Sequence, residues 1–421
     1  MPLTVFWEGA SSMRRILIVG AGQSGLQLGL SLLAHGYDVT VMTERTPDEV
    51  RAGRVTSTQI MMPSTVALER RNGLDLWTDL CPPIPRAGFT IPGPDGTPVV
   101  DWLGALGGAL SVDQRLKMPA WMDLFAERGG NLVVHPVAVS DIDWYTRNYD
   151  LVVVAAGKGE LVSMFDRDAD RSEFTAPQRQ LSVAYFHGAT PRPDVGHEAL
   201  HVNAIPGVGE LMLFPGLTHT GPCHITLIEA VPGGPADVFK GVRDPREHWN
   251  LILELFRTFA PWEYDRIKAA EISDPMCVLA GGFAPVVRRP VAELPSGGLA
   301  LGMADVLVTN DPVSGQGANN ASRAADLYLD AIIAHGDRPF DRVWMEAVFA
   351  TFWERARHGV RFSSSLLRPP PEHVQLLMGA GNTTPAVCDA IMSAFDNPVE
   401  FEDFWYDPAK AAAFLDKVGA A

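Results

Sequence analysis

The sequence is poor in cysteine and in basic residues, and both shortages narrow the classes of protein to which the chain can belong. Its 421 residues include 4 cysteines, at widely separated positions and without paired spacing. This argues against a zinc site or a disulfide framework and favours a reducing compartment. The 34 lysines and arginines are outnumbered by 50 acidic residues, which gives a formal net charge of −16. Such a charge repels phosphate backbones and anionic lipid, so nucleic acid and membrane surfaces are not expected partners.

Long hydrophobic runs are also missing from the sequence. No stretch reaches the ~18 to 20 uninterrupted apolar residues that a membrane helix needs. The first residues lack the basic and apolar segments of a secretion signal. We therefore expect a soluble, cytoplasmic protein. Because Met13 directly precedes a strand-like pattern, residues 1–12 are interpreted as an upstream extension without functional weight.

Motifs for nucleophilic or metal chemistry are missing as well. The sequence has no GxSxG elbow, no HExxH pair and no paired metal ligands, and its 11 histidines form no cluster. We therefore expect neither a metal site nor a catalytic nucleophile, acid or base from the protein. The chain is nevertheless large, and a composition of 47% hydrophobic and 20% charged residues is enough for a folded core spread over two or three structural units.

The first segment with a chemical signature is RRILIVGAGQSGLQLGLSLLAHGYDVTVMTE, residues 14–44. An apolar run typical of a buried parallel strand leads into GAGQSG, residues 20–25, then into a helical pattern and a second strand. Glu44 ends this second strand about 20 residues after the third glycine, where a carboxylate can bind an adenosine ribose. The pattern predicts a dinucleotide site in which the glycine turn and the helix N-terminus bind a pyrophosphate. It does not distinguish NAD from FAD.

Two later segments bear on the identity of the cofactor. DLVVVAAGKGE, residues 150–160, reads as another strand that enters a turn of small residues, and LALGMAD, residues 299–305, reads as a strand with an acid at its end. Asp305 could hold the ribityl hydroxyls of a flavin, while Pro312 and GQGANN, residues 315–320, bring bare backbone against the isoalloxazine ring. The alternative is a glycine turn that only caps the helix after it. Since its last position is Asn, GQGANN is a poor second nucleotide fingerprint.

Five segments carry a family resemblance that spans nearly the whole chain in order. They are MRRILIVGAGQSGLQLGLSLLAHGYDVTV, RVTSTQIM, SVDQRLKMPAWMDLFAERGG, DLVVVAAGKGE and GMADVLVTNDPVSGQGANNAS. Together they resemble the flavoprotein monooxygenases and, within these, the oxygenase component of the two-component styrene and indole monooxygenases. The resemblance implies an α/β fold with a glutathione-reductase-like Rossmann FAD domain, a β-sheet substrate domain and C-terminal helices.

The resemblance also implies a division of the chain. We expect the FAD-binding domain in residues 13–170 and 281–335, the substrate-binding sheet in residues 171–280 and a helical region in residues 336–421. Apolar runs such as LSVAYF, residues 181–186, are separated by Pro and Gly clusters, as is typical of strands in a sheet that covers the flavin.

The chemistry implied by the resemblance belongs to the cofactor. A separate NADH-dependent flavin reductase supplies reduced FAD, which forms a C4a-hydroperoxide with O2 and epoxidises an aromatic alkene. The protein then has to hold an apolar substrate near the reactive oxygen and exclude water. Two alternatives stay open: a single-component NAD(P)H-dependent aromatic hydroxylase of the same fold, and a non-catalytic FAD-binding protein. The sequence leaves the oligomeric state open, with a homodimer as one alternative.

The residues expected to contact FAD lie in the two glycine turns, at strand ends and on three arginines. They are Gly20, Gly22, Ser24, Gly25, Glu44, Arg45, Arg54, Arg115, Asp305, Pro312, Gly315, Gly317, Ala318 and Asn319.

RVTSTQI, residues 54–60, bears on the substrate. If this stretch is extended, period-two alternation puts Ser57 and Gln59 on one face. In the family, Ser-x-Gln resembles the indole-preferring pattern and Asn-x-Val the styrene-preferring one; Ala109 matches the indole branch, and Ala87, near a fourth position, matches neither. Since a Gln carbonyl could accept the indole N–H, we expect indole as substrate with styrene as the alternative. The remaining alternative is that Ser57 and Gln59 line a solvated strand.

Overall fold

The computed structural model describes residues 13–157, 159–192, 196 and 198–420. The expectation for residues 1–12 lies outside this range. Within it, the strands form a six-stranded sheet, a nine-stranded sheet and a two-stranded ladder. In chain order the strands are β1 (Arg15–Val19), β2 (Asp38–Thr43), β3 (Ile60–Met61), β4 (Ile84–Pro92), β5 (Pro98–Ser111), β6 (Asn131–Val134), β7 (Leu151–Val154), β8 (Gln180–His187), β9 (Leu200–Ile205), β10 (Gly209–Thr218), β11 (Gly221–Ala230), β12 (Glu271–Ile272), β13 (Val278–Gly281), β14 (Val286–Val287), β15 (Val291–Glu293), β16 (Leu299–Gly302) and β17 (Val308–Thr309).

The α-helices of the described residues lie on the parallel sheet and in the C-terminal third of the chain. In chain order they are α1 (Gln23–Ala34), α2 (Pro47–Arg51), α3 (Pro63–Arg71), α4 (Gln114–Glu127), α5 (Val139–Tyr145), α6 (Pro245–Phe259), α7 (Pro261–Ile267), α8 (Gln316–His335), α9 (Arg342–Leu366), α10 (Glu372–Ala380), α11 (Pro385–Asp396) and α12 (Pro408–Val418). None of these helices is long and apolar enough to cross a membrane.

The six-stranded sheet has the order β15-β16-β7-β1-β2-β6. Five of its strands are parallel, and β15 is an antiparallel edge strand. All of β7 and all but the first residue of β1 are buried, which explains why both strands are unbroken runs of Ile, Leu and Val. The carboxyl ends of the five parallel strands form one edge of the sheet, called the carboxyl edge below. This Rossmann-like layer confirms the predicted α/β fold class.

The nine-stranded sheet, called the large sheet below, contains the apolar run 181–186 that the sequence singled out. This run lies in β8, and β8, β10 and β11 pair antiparallel, with the further apolar runs 210–214 and 224–228 in β10 and β11. The sheet also contains β3, β4 and β5, since β4 pairs in parallel with β9. The large sheet is therefore drawn from two chain segments, 60–111 and 180–281, whereas the sequence placed the substrate sheet in residues 171–280 alone.

The two faces of the large sheet have different neighbours. On one face Phe186 packs against Trp249 of α6 with ring centroids 4.7 Å apart, and the Ser182 hydroxyl lies 2.7 Å from Nε2 of His248. Strand alternation turns Tyr185 to the opposite face. This second face belongs to an apolar cluster that includes Val313, next to the start of α8. The strand register puts Glu229 on the same face as Tyr185, and Glu229 interacts with Asp311, so this face looks toward the segment leading into α8.

C-terminal helices pack against β4 and β5. Trp102 Nε1 donates a hydrogen bond to the Met378 carbonyl at 2.9 Å. A β-carbon on Gly104 would come 2.3 Å from the Cys388 carbonyl oxygen, so α11 lies directly on the backbone of β5. Helices α10 and α11 thus cover the second face of the large sheet at β4 and β5.

Candidate active site

The three fingerprint glycines of the first turn have different physical roles. Gly20 has φ +121°, and a β-carbon on it would lie 2.8 Å from the Ala155 carbonyl carbon. A β-carbon on Gly25 would lie 2.0 Å from the Gly20 oxygen. The packing of the chain itself therefore requires both glycines. Gly22 is different, because a β-carbon there would meet no described atom within 4 Å. The space in front of Gly22 fits a ligand that approaches the backbone.

Two helix N-termini face this region without a capping side chain. Gly22 precedes α1 and Gly315, with φ +65°, precedes α8; neither first turn contains an acidic residue. The helices touch, since Gln27 Nε2 donates to the Ser322 carbonyl at 3.1 Å. A β-carbon on Gly317, in the first turn of α8, would also meet no described atom within 4 Å. Both ends therefore offer backbone N–H groups and positive dipole ends to an anionic or electron-rich ligand.

Carboxylates lie where a dinucleotide would need them along the carboxyl edge. Glu44 is exposed directly after β2, and Asp305 is exposed in the 3₁₀ turn after β16. Asp305 is also next to β7, because its Cβ would lie 3.0 Å from a β-carbon on Gly157. The GAGQSG turn, Glu44 and Asp305 thus follow parallel strands of one sheet and share one edge. This arrangement fits FAD, with the pyrophosphate at α1, a ribose at Glu44 and the ribityl chain at Asp305.

The remaining predicted cofactor residues fall into two groups. Ser24 and Ala318 lie in the first turns of α1 and α8, and Pro312 starts the 3₁₀ turn that precedes α8. Arg45 and Arg54 are exposed, on either side of α2. The first group shares the two turns at the carboxyl edge, whereas the two arginines are placed in solvent beside it.

Arg115, for which a contact with FAD is predicted, bonds to carboxylates of the protein in the structure. Its guanidinium is 2% exposed and makes paired hydrogen bonds with two carboxylates, to Asp113 at 2.7 and 2.9 Å and to Asp274 at 2.9 and 3.0 Å. Thr218 Oγ1 donates to the same Asp113 carboxylate at 2.7 Å. Because buried charges need such partners, the structure gives Arg115 a structural role, joining α4 to the large sheet.

Asn319 also bonds within the protein. Its Oδ1 accepts from Met62 N at 2.8 Å and from Thr65 Oγ1 at 2.5 Å, while its Nδ2 donates to the carbonyls of Ile60 at 2.9 Å and Gly315 at 2.7 Å. An amide has two acceptor and two donor positions, so all four are used. Asn319 therefore holds the β3–α3 junction against the first turn of α8 and fixes the position of that turn.

Within residues 54–60 only Ile60 lies in a strand, at the start of β3. Gln59 has φ +34°, so the chain turns sharply there. The two predicted side chains still meet: Ser57 Oγ donates to Gln59 Oε1 at 3.1 Å. Gln59 Nε2 donates to Tyr185 Oη at 2.7 Å, and Tyr185 Oη donates to the Ser57 carbonyl at 2.8 Å. Since Gln59 is 6% exposed, the structure contradicts a solvated strand.

This triangle of Ser57, Gln59 and Tyr185 has a defined hydrogen-bonding capacity. The Gln59 carbonyl accepts one bond from Ser57 and keeps a second acceptor position. Burial raises the pKa of Tyr185 well above its ordinary value, and the charge of Asp113 raises it further, so the phenol stays neutral. The triangle can therefore accept one more N–H, and it supplies neither a base nor a nucleophile.

Ala109 is fully buried and pairs with Ile84 across β4 and β5. Ala87 is buried in β4, opposite Gly104. Both alanines belong to the same apolar cluster as Ile60 and Tyr185.

Sequence reasoning missed Tyr185, Asp113 and Asp274. Tyr185 is the one hydroxyl-bearing side chain of the run 181–186 that alternation turns to the second face, and this alternation was the available signal. No local signal could have joined Arg115 to Asp274, because 159 residues separate them.

Comparisons with known proteins identify the family of the chain. Residues 157–266 match the family model described as "Styrene monooxygenase A putative substrate binding domain". Styrene monooxygenase StyA of Pseudomonas fluorescens is 33% identical over 379 residues, which cover 86% of this chain and 88% of that protein. Styrene monooxygenase StyA of a Pseudomonas sp is 32% identical over 381 residues, with the same coverage of 86% and 88%. The chain belongs to the styrene monooxygenase family.

Solved structures support the fold of this styrene monooxygenase family member. The flavin-dependent brominase Bmp2 aligns with a TM-score of 0.65 at 13% identity, covering 96% of this chain and 98% of the brominase. The p-nitrophenol 4-monooxygenase PnpA of Pseudomonas putida DLL-E4 aligns with a TM-score of 0.63 at 12% identity, covering 92% and 98%. At such identities the likeness concerns the fold alone.

Family membership makes the chain a flavin-dependent monooxygenase of the styrene monooxygenase type, with FAD as the implied cofactor. The residues present fit FAD, since Gly22 and Gly317 leave space that the protein's own packing does not use. Among the described residues no group of three or more potential ligands could hold a metal ion.

Proposed function

We propose that the chain is the oxygenase component of a two-component system, in which a separate NADH-dependent reductase supplies reduced FAD and the chain epoxidises indole. Styrene and similar vinyl arenes are the second substrate class. The observation that carries the choice of indole is the buried Gln59 amide, whose carbonyl keeps one acceptor position beside the apolar face of the large sheet.

The chain's own residues would bind and orient the cofactor. The α1 N-terminus at Gly22 binds the pyrophosphate, Glu44 the adenosine ribose and Asp305 the ribityl chain, while the backbone from Pro312 to Ala318 lies against the flavin ring. Bound reduced FAD supplies the chemistry by activating O2 for transfer of one oxygen atom to the substrate double bond.

The second face of the large sheet would bind the substrate and exclude water. In the strand register Tyr185 pairs with Ile225, and Ile225 pairs with Phe214. These three side chains therefore share one face of the sheet, and Tyr185 links this face to Ser57 and Gln59. Together with Val313 they form an apolar surface that suits a planar aromatic ring. Exclusion of water favours oxygen transfer over the loss of hydrogen peroxide. Gln59 would orient indole by accepting its N–H.

The experiment combines the purified chain, a flavin reductase, NADH, FAD and O2 with either indole or styrene. We expect 3-oxygenated indole, which dimerises in air to blue indigo, and slower formation of styrene oxide. A reductase without the chain is the blank. Rapid NADPH consumption by the isolated chain with substrate would identify a single-component hydroxylase, and FAD binding without any oxygenated product would identify a non-catalytic flavoprotein.

A further inference from the structure

Four charged side chains meet where the large sheet contacts the segment that leads into α8. Glu210 on β10 and Glu229 on β11 are opposite each other in the strand register. Arg179 immediately precedes β8, and Asp311 precedes the 3₁₀ turn Pro312–Ser314. Glu229 is fully buried and Asp311 is 2% exposed. Residues 311–315 are called the α8 turn below.

Arg179 is the one cation among these four side chains, and its paired hydrogen bonds go to Glu210. Arg179 Nε donates to Glu210 Oε2 at 2.7 Å, and its Nη2 donates to Glu210 Oε1 at 2.9 Å. This two-pronged pairing satisfies both oxygens of Glu210. Among the described residues, the paired hydrogen bonds of Arg179 thus go to Glu210 and not to Glu229 or Asp311.

The Glu229 and Asp311 carboxyl groups are in hydrogen-bonding contact, yet no N–H or O–H of the described residues donates to either oxygen of Glu229. Two ionised carboxylates have only acceptors, so this contact requires one proton between them. Burial first, and then the charge of Asp311, raises the pKa of Glu229 well above its ordinary value; the charge of Glu210 acts in the same direction and that of Arg179 against it.

The position of the proton follows from the second bond of Asp311. Asp311 Oδ1 accepts from Val313 N at 3.2 Å and caps the 3₁₀ turn. An ionised carboxylate is the better acceptor for such a bond. The proton therefore lies on Glu229, whose carboxyl O–H donates to Asp311.

We propose that Glu229 is a positioning residue for the cofactor: its carboxyl O–H holds Asp311, and through it the α8 turn, in the geometry that binds FAD. The proposal rests on the proposed placement of the flavin ring at Pro312 to Ala318. Glu229 touches neither cofactor nor substrate in this account. It ties the substrate-covering sheet to the flavin-binding backbone by one proton.

Two variants separate the proton from the charge. Glu229→Gln keeps a donor toward Asp311 and removes the titratable group, whereas Glu229→Leu keeps an apolar side chain and removes the donor. Titration with oxidised FAD, followed by flavin fluorescence, should give Glu229→Gln an affinity close to that of the unaltered chain. Glu229→Leu should bind on the order of tenfold more weakly, because Asp311 loses its partner and the α8 turn is no longer held in place.

The pH dependence of thermal unfolding tests the proton without FAD. A carboxyl whose folded pKa is raised stabilises the protein below its unfolded pKa of ~4.3, and this stability is lost as the pH rises toward the folded pKa. Between pH 5 and 8 the Tm of the unaltered chain should therefore fall relative to that of Glu229→Gln. Glu247→Gln, at an exposed position on α6, is the matched control and should keep the original slope.

The three measurements test, in turn, the proton on Glu229, the bond that holds the α8 turn, and FAD binding itself. A Glu229→Gln variant with the same pH slope as the unaltered chain would mean that Glu229 holds no proton. A folded Glu229→Leu variant that binds FAD as tightly as Glu229→Gln would mean that the α8 turn does not depend on this bond. If the unaltered chain itself bound no FAD, the proposed function would fail, while the pH slope would still report on the proton.

Discussion

At the scale of single residues, the site is built from glycines, which have no side chain, and from polar side chains that hydrogen-bond within the protein. Gly20 and Gly25 are bare because backbone lies within 2.8 and 2.0 Å of where a β-carbon would stand, whereas Gly22 is bare with open space in front of it. The three glycines of one motif thus separate into two that the fold needs and one that the ligand needs.

Gly22→Val should remove FAD binding without unfolding the protein. Gly22 has φ −92° and ψ −170°, an extended conformation that valine adopts readily, but the side chain would occupy the space in front of α1. We expect FAD affinity to fall roughly a hundredfold or more, about 2.7 kcal/mol, with a circular-dichroism spectrum like that of the original chain. Gly379→Val, at a similarly open position in α10, is the control and should bind FAD normally. Unchanged FAD affinity in folded Gly22→Val would remove this turn from the site.

Gln59 sets the second residue-scale prediction. Valine would be strained at φ +34°, so the informative variant is Gln59→Asn, which tolerates a positive φ and withdraws the amide by one methylene. If Gln59 accepts the indole N–H, the ratio of kcat/KM for indole to that for styrene should fall about two- to twelvefold, the value of one neutral hydrogen bond. Styrene has no N–H and serves as the internal control. Equal losses for both substrates would mean that Gln59 only shapes the pocket.

At the scale of elements, the site depends on two helices that begin without caps. An acid in the first turn would ordinarily stabilise such a helix, because it complements the positive end of the helix dipole. Neither α1 nor α8 has one. The first backbone N–H groups of both helices therefore face the carboxyl edge without a capping side chain. This lowers the stability of the helices, and it leaves the N–H groups able to bind a ligand.

Gly317→Asp and Gly317→Asn test this reading of α8. The two side chains have nearly the same shape and differ in charge. Relative to Asn, Asp should raise the free energy of unfolding of the ligand-free protein by about 0.3 to 1 kcal/mol, since it complements the helix dipole. The same charge should weaken FAD binding. Chemical unfolding and FAD titration measure the two quantities, and an Asp variant that binds FAD as well as the Asn variant would place the cofactor away from α8.

At the scale of the whole molecule, buried polar groups join the parallel sheet to the large sheet. Arg115 at the start of α4 binds Asp113 and also Asp274, in the segment between β12 and β13. At the other end of the interface Asp311 meets Glu229. Between these two polar ends lies the apolar face of the large sheet, so the relative position of the two sheets also sets the shape of the space between them.

Arg115→Met should destabilise the fold by about 3 to 5 kcal/mol at neutral pH, because two buried carboxylates would lose their cation. Burial raises the pKa of Asp274, but the bonds and charge of Arg115, together with the hydrogen bonds from Met276 N and Ser273, hold this pKa below its ordinary value. The pairing therefore stabilises the chain above a pH of ~3.9 and is lost as the pH falls through the folded pKa. The deficit of the variant should therefore stay constant between pH 7 and 5 and shrink as the pH falls below ~4. Arg51→Met, which removes exposed ion pairs with Asp48 and Asp123, should cost at most ~1 kcal/mol. A deficit that does not change with pH would contradict this account.

The sequence by itself determined the elements whose signals are local. The βαβ unit around GAGQSG, the acid at Glu44, the apolar runs of the large sheet and the C-terminal helices all follow from patterns within about 30 residues, since periodicity and glycine placement act through neighbouring residues. These patterns, together with the family resemblance, were enough for the fold class and the type of cofactor.

The tertiary structure alone decided which side chains meet. Gln59 and Tyr185 are 126 residues apart, Asn319 and Met62 are 257 apart, and Arg115 and Asp274 are 159 apart. Such contacts depend on strand pairing and on how the two sheets pack. Local sequence patterns specify neither of these. For this reason the bonds that Arg115 and Asn319 make within the protein were not foreseen from the sequence, and Tyr185 was found beside Gln59 only once the large sheet was in place.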